Sequence, residues 1–346
     1  MANTDTLTGP PAATAPPPAR VRSRPSRRRD RIEIAGLIGA LVLMVIVFTI
    51  ASPDRFPTLA NLQTVLDQAS VPLIIGVGAT LVILLGSIDL SIEGVMGAAG
   101  MAFVLLIPNS RGGEDHFLLA ILAALAMGLA LGVTTGLVHT RLKVPTFIVT
   151  LGIWYVGLGV ATLLFGTDSI PTITSNAITD WPQNTFLALP HSFLLAAVVI
   201  AVGVLITRYT RLGRFTYAIG DDESIARDNG VHVSRYKVAV FAVAGLCSAI
   251  AGILASMQLG AGQATVGIGN LFLTIPAVVI GGTSLGGGRG GIIRTALGVL
   301  LLVTLNNGLI VAGVSANIRS GVAGLVLIVA VVAASWANRG RLAVAK

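Results

Sequence analysis

Long apolar runs, broken by short polar or glycine-rich stretches, set the pattern of this chain. A helix needs about 20 mostly apolar residues to cross a bilayer. Runs of that kind place ten segments, at 32–52, 62–85, 91–107, 117–139, 145–166, 192–208, 237–258, 271–287, 291–312 and 320–337. Polar or glycine residues interrupt the second, third and eighth. The pattern predicts an all-α, polytopic membrane protein with about ten transmembrane helices. Its body spans 32–337, between a basic tail (1–31) and a short C-terminal tail (338–346).

The polar interval from Arg208 to Lys237 carries a local helix signal of its own. Asp221 or Asp222 offers an N-cap, and Glu223 adds negative charge to the first turn. Glu223 and Arg227 stand at i,i+4, and Gly230 follows Asn229 where a left-handed residue ends a helix. About two turns of helix are marginal in water, so this one rests either on its own protein or on a soluble partner.

Basic residues orient the body, because Lys and Arg accumulate on the cytoplasmic side. Of the 23 Lys and Arg, all but Arg55, Arg111 and Arg319 fall on one side. These are the tail from Arg20 to Arg31, Arg141 and Lys143, the 208–237 interval, Arg289 and Arg294, and Arg339, Arg341 and Lys346. Both ends are therefore expected in the cytoplasm. The net charge of +8 is explained by this bias and not by nucleic-acid binding. The Pro-, Ala- and Arg-rich tail is expected to be disordered and to touch anionic lipid headgroups. The apolar run behind it is too long for a cleaved signal peptide.

Composition agrees: 54% of residues are apolar and 11% charged, against about 25% charged in a soluble domain. Catalytic patterns are missing. There is no phosphate-binding G-x-x-x-x-G-K-[ST] loop and no G-x-S-x-G elbow. His116, His139, His191 and His232 lack metal-ligand spacing, so no catalytic or metal residue is assigned. Cys247 is the one cysteine and reads as a small packing residue. Work must then draw on an ion gradient, a solute gradient or another subunit. Asp67, Asp89 and Glu93 are the acids in reach of the spans. Asp89 and Glu93, at i,i+4, would share a helix face beside a turn where a carboxylate stays hydrated. Gln68, Ser70, Gln258, Asn306 and Asn307 are polar on apolar spans, so each is a candidate to line a pathway or to bond a neighbouring helix.

Glycine is frequent, at 41 residues. Gly76, Gly78, Gly94, Gly97 and Gly100 suit close helix approach. The run from Gly281 to Gly291 (GGTSLGGGRGG) reads as a tight re-entry, and Gly86–Ser91 looks like its echo, a hint of two related halves.

Four blocks carry a family resemblance over about 61–333. They are Gly86-Ser87-Ile88-Asp89-Leu90-Ser91-Ile92-Glu93-Gly94, and Val144-Pro145-Thr146-Phe147-Ile148-Val149-Thr150-Leu151-Gly152. The third runs from Gly213 into Ala226, Arg227 and Gly230. The fourth is AVVIGGTSLGGGRG followed by Leu305–Leu309 (LNNGL). In these the chain resembles the permease subunits of ribose-type sugar ABC importers, relatives of branched-chain amino acid permeases.

The resemblance implies a non-catalytic subunit. Two permeases, identical or paralogous, would form the pathway between them. A separate ATPase, using ATP and Mg, would dock on Asp221, Asp222, Glu223, Ser224, Ile225, Ala226, Arg227, Asn229 and Gly230. A periplasmic or lipid-anchored binding protein would deliver a monosaccharide or similar polar solute across the bacterial cytoplasmic membrane. Departures fall at Ser87 and Glu93, where glycines are usual, and at Leu158 and Arg294. Pro276 is unusual, and Leu271 and Leu273 stand where a Glu and an Asp are common. The rival readings are an ion-coupled carrier, a passive channel, and an ABC permease for an amino acid or nucleoside.

Overall fold

The computed structural model describes residues 27–319 together with 321, 322, 324, 325 and 328. Among the described residues, twelve helices and one small hairpin follow in order. They are α1 (Arg27–Ala51), α2 (Leu59–Leu84), α3 (Ile92–Leu105), α4 (Phe117–Arg141), α5 (Thr146–Phe165), α6 (Asn176–Asp180), β1 (Thr185–Phe186), β2 (Leu189–Pro190), α7 (His191–Tyr209), α8 (Arg211–Asp221), α9 (Glu223–Asp228), α10 (Val233–Leu259), α11 (Asn270–Ile280) and α12 (Ile292–Val311). Among the described residues, seven helices are long and apolar enough to cross a membrane: α1, α2, α4, α5, α7, α10 and α12. The chain is thus a helical, multi-pass membrane protein.

Two expected spans are shorter than the apolar runs suggested. The segment at 91–107 forms α3, of 14 residues, and the one at 271–287 forms α11, of 11. At 1.5 Å per residue these are roughly 21 and 16 Å long, short of a hydrocarbon core of about 30 Å. Helix α11 stops at Gly281, and the glycine run beyond it folds into a turn with left-handed φ at Gly282 (79°), Gly287 (81°) and Gly288 (70°). A side chain at those positions would be strained. The segment expected at 320–337 lies almost wholly outside the described residues. So does most of the 1–31 tail, although α1 already begins at Arg27.

Helices α2, α3 and α10 form the buried centre. Small residues let them close. On α4, Gly128, Gly132 and Gly136 recur every fourth position, and a Cβ on any of them would strike the α10 backbone or side chains at Gly245, Phe241 or Val238. On α3, Gly94 meets the backbone of Trp154 in α5, and Gly100 meets Gly252 and Ser256 in α10. With little apolar driving force between helices in lipid, such close van der Waals contact holds a bundle together. Cys247 is buried in this core, against Gly78 of α2. Helix α1 lies outermost, packed on α12 and fastened by Arg294 Nη1 donating to Glu33 Oε2 at 2.8 Å.

At one end of the bundle, three segments lock together. Gly288 N donates to Leu84 O at the end of α2 (2.9 Å), and Tyr217 Oη on α8 donates to Gly290 O (3.1 Å). Gly220 of α8 lies so close to Leu84 O that no Cβ fits. The two glycine turns, Gly86–Ser91 and Gly281–Gly291, therefore meet beneath α8. At the opposite end, Arg111 donates to Ser169 O (2.6 Å) and Phe165 O (2.7 Å), lacing the loops there.

Candidate functional site

The locked end carries α9. Of the two aspartates proposed as its cap, Asp222 serves. Its backbone is extended (φ −158°, ψ 108°), and its Oδ1 accepts from Ser224 N (3.0 Å), Ser224 Oγ (2.6 Å) and Ile225 N (3.1 Å). Asp221 instead ends α8, a helix the sequence reading did not separate from the polar interval. The C-terminus closes as expected of Asn229-Gly230. Gly230 (φ 79°) donates to Arg227 O at 2.9 Å, and Val231 N to Ala226 O at 3.1 Å. That pair of bonds is a Schellman motif. Removing the cap with Asp222→Ala is expected to cost about 1 kcal/mol. Amide exchange at Ser224 and Ile225 should then rise roughly fivefold, which hydrogen–deuterium exchange would read, while Asp222→Asn should leave it near wild type.

Helix α9 has two faces. Inward, Ala226 is buried in a cluster with Leu81, Val82, Leu85, Ile219 and Phe241. This short helix is thus supported by its own protein. Glu223 also turns inward, accepting from Lys237 Nζ at 2.7 Å and from Arg227 Nη2 at 2.6 Å. Partial burial opposes ionisation of Glu223. The hydrogen bond and charge of Lys237, with the charge of Arg227, outweigh it and hold the carboxyl below its ordinary value. Outward, Ser224, Ile225, Arg227 and Asp228 are exposed, and Ile225 is 57% accessible. Ile225 is thus an apolar side chain set out on a charged, capped helix.

The pathway candidates do not converge. Gln68 is exposed on α2, and Ser70 is buried and bonds its own helix at Leu66 O. Gln258 reaches Asp67, whose Oδ1 accepts from Gln258 Nε2 (2.8 Å) and Ser192 Oγ (2.5 Å). This cluster ties α2, α10 and α7, a contact across 191 positions that no local pattern signals. Asn306 is exposed at a pocket of about 310 Å³ beside Phe272, Leu273 and Arg319. Asn307 is buried, with its Oδ1 unpartnered among the described residues.

The expected pairing of Asp89 and Glu93 on one hydrated helix face is corrected. Asp89 precedes α3 and accepts from Ser91 N and Oγ at 2.8 and 2.6 Å. Glu93 lies inside α3, and both acids are buried. Glu93 Oε1 accepts from Gly269 N (2.9 Å) and Leu271 N (3.0 Å), so it caps α11 from a helix 176 residues earlier. The N-termini of the two short helices meet at this carboxylate. No group of three or more His, Cys, Asp or Glu suited to a metal occurs among the described residues.

Comparison of the sequence with known proteins links the chain to transport. The family described as branched-chain amino acid transport system, permease component, matches residues 61–331. The chain is 37% identical over 303 residues to the ribose import permease RbsC of Escherichia coli K12, covering 87% of this chain and 92% of the relative. It is 30% identical over 296 residues to the D-allose permease AlsC of the same organism, covering 86% and 90%. It is 31% identical over 312 residues to the fructose import permease FrcC of Rhizobium meliloti, covering 86% and 84%. No solved structure gives a significant match.

Proposed function

The chain belongs to the permease-component family of the branched-chain amino acid transport systems, and on that footing we propose that it is the membrane subunit of an ATP-driven importer that brings a monosaccharide into the cytoplasm by alternating access. It is not itself an enzyme, and ATP hydrolysis resides on a separate subunit. Relatives that import ribose, allose and fructose support the solute class.

The observation that carries the coupling is the outward face of α9. Its exposed Ile225 stands on a helix capped at both ends and seated by Ala226. A motor gripping that face moves α9, and through it the ends of α2, α8 and α10. The basic end of the bundle then faces the cytoplasm of a bacterial inner membrane, and both termini lie on that side. The body counts about ten transmembrane helices, α3 and α11 included. A second permease, identical or paralogous, completes the pathway, and a periplasmic or lipid-anchored binding protein delivers the sugar to the opposite end. Asn306 and the pocket beside Phe272 open on that side of α12 and are the pathway candidates best placed to meet solute.

The reading is tested in vesicles that hold the importer, purified with its partner subunits through a tag on this chain. Labelled ribose, allose and fructose are offered in turn, with ion gradients collapsed and ATP inside. Uptake of at least one sugar that requires ATP is expected. Uptake that ignores ATP and disappears with the gradient would make the chain an ion-coupled carrier instead.

A further inference from the structure

Lys237 opens the second turn of α10 with only 12% of its side chain exposed. Its ammonium meets two groups from different elements. Besides Glu223 Oε2, Nζ stands 3.3 Å from His139 Nε2, in the last turn of α4. The other ring nitrogen of His139, Nδ1, lies 2.8 Å from the carbonyl of Val144. A carbonyl only accepts, so Nδ1 carries the proton. Nε2 of the neutral ring then presents a lone pair, which the Lys237 ammonium fills. Phe241 packs edge-on to the ring at 6.3 Å and fixes its plane.

Read in order, these bonds join α9 (Glu223), α10 (Lys237), the end of α4 (His139) and the residue before Pro145, where α5 begins. Without them α9 would rest on its apolar contacts, which have no preferred direction. The hydrogen-bonded line is directional. Arg227 holds the other oxygen of Glu223, and Arg141 and Lys143, near His139 in sequence, are exposed.

We propose that Lys237 is a positioning residue for transport, carrying displacement of α9 into α4 and the start of α5. The proposal rests on α9 as the ATPase contact. It separates two things that loss of α9 would confound: holding the motor, and passing its stroke on.

The test uses the complete importer in vesicles and three readouts: ATPase retained on purification, ATP hydrolysed, and sugar imported per ATP. Lys237→Met keeps the stem and removes the charge. ATPase retention should stay at the wild-type level while sugar per ATP falls about 5- to 150-fold, the span of a typical coupling free energy. Lys237→Arg should recover most of the loss, and the exchanged pair Glu223→Lys with Lys237→Glu part of it. Should Lys237→Met not fold, His139→Phe keeps the ring against Phe241 but removes the acceptor, and should uncouple in the same direction. Unchanged sugar per ATP in the variants overturns the proposal. So does loss of the ATPase itself from Lys237→Met, since that would make Lys237 part of the seat alone. Failure of the docking reading shows elsewhere, in an importer that keeps its ATPase when the outward face of α9 is altered.

Discussion

Replacing Ile225 with lysine should strip the ATPase from the importer and reduce sugar uptake to background. Ile225 is the apolar side chain on the outward face of α9, 57% exposed, flanked by Ser224 and Asp228. An interface hot spot costs about 2 kcal/mol or more when lost, which is about 30-fold in affinity, and a central apolar anchor is placed to be one. A lysine there adds a charge that must be desolvated. The helix itself should survive. The Asp222 cap, the Gly230 closure and the Ala226 seat do not involve the Ile225 side chain, and lysine is a good helix former. Membrane insertion and thermal stability should therefore match wild type, while co-purified ATPase and ATP-driven uptake fall together. An Ile225→Lys importer that keeps its ATPase and its uptake would remove α9 from the coupling role. Ala226→Phe gives the contrasting result: it overfills the cluster beneath α9 and should lower stability as well.

The termini of α9 were legible because they are local. An aspartate, an i,i+4 ion pair and an Asn-Gly step act within a few residues of where they stand. The long spans were legible for a related reason, since lipid admits almost nothing but apolar side chains over 20 residues. Helix α8 was hidden by its glycines. Leu212, Phe215 and Ile219 do recur on one face, and Thr210 caps the start through Gly213 N at 3.3 Å. Yet Gly213 and Gly220 read as breakers, and their purpose is tertiary: a Cβ at either would strike the backbone at Ile206 or Leu84.

The shortness of α3 and α11 was legible in part. Polar and glycine residues interrupt both apolar runs, and Gly281–Gly291 reads as a tight re-entry, but the packing of that run beneath Gly220 is what shows where α11 stops. Long-range polar contacts had no local signature at all. Asp67, Ser192 and Gln258 lie on three helices, and the bland alternative for Gln258, a bond to a neighbouring helix, is what the fold uses. The spacing of Asp89 and Glu93 misled because it assumes one continuous helix, and α3 starts only at Ile92.

Glu93 supplies the second large effect. Truncating it to alanine should destabilise the body and depress uptake at least tenfold, whereas Glu93→Gln should stay close to wild type. The asymmetry follows from what Oε1 does. It satisfies Gly269 N and Leu271 N at the start of α11, where Gly269 has a left-handed φ of 95° and no side-chain cap of its own. A glutamine oxygen can still accept both bonds. Alanine leaves both N–H groups without their acceptor; Leu271 is half-buried and Gly269 exposed, so the cost falls chiefly on Leu271 N, within the roughly 1–3 kcal/mol of a buried orphan. The family resemblance implies acids where Leu271 and Leu273 stand and a glycine where Glu93 stands; here the acceptor at the start of α11 comes from α3. Adding Leu271→Glu to Glu93→Ala should therefore recover part of both stability and uptake, because position 271 lies in the first turn of α11, where a carboxylate reaches the same N–H groups. Thermal unfolding of the solubilised importer, read beside ATP-driven uptake, checks each step. If Glu93→Ala unfolds and transports like wild type, the junction of the two short helices does not depend on this carboxylate.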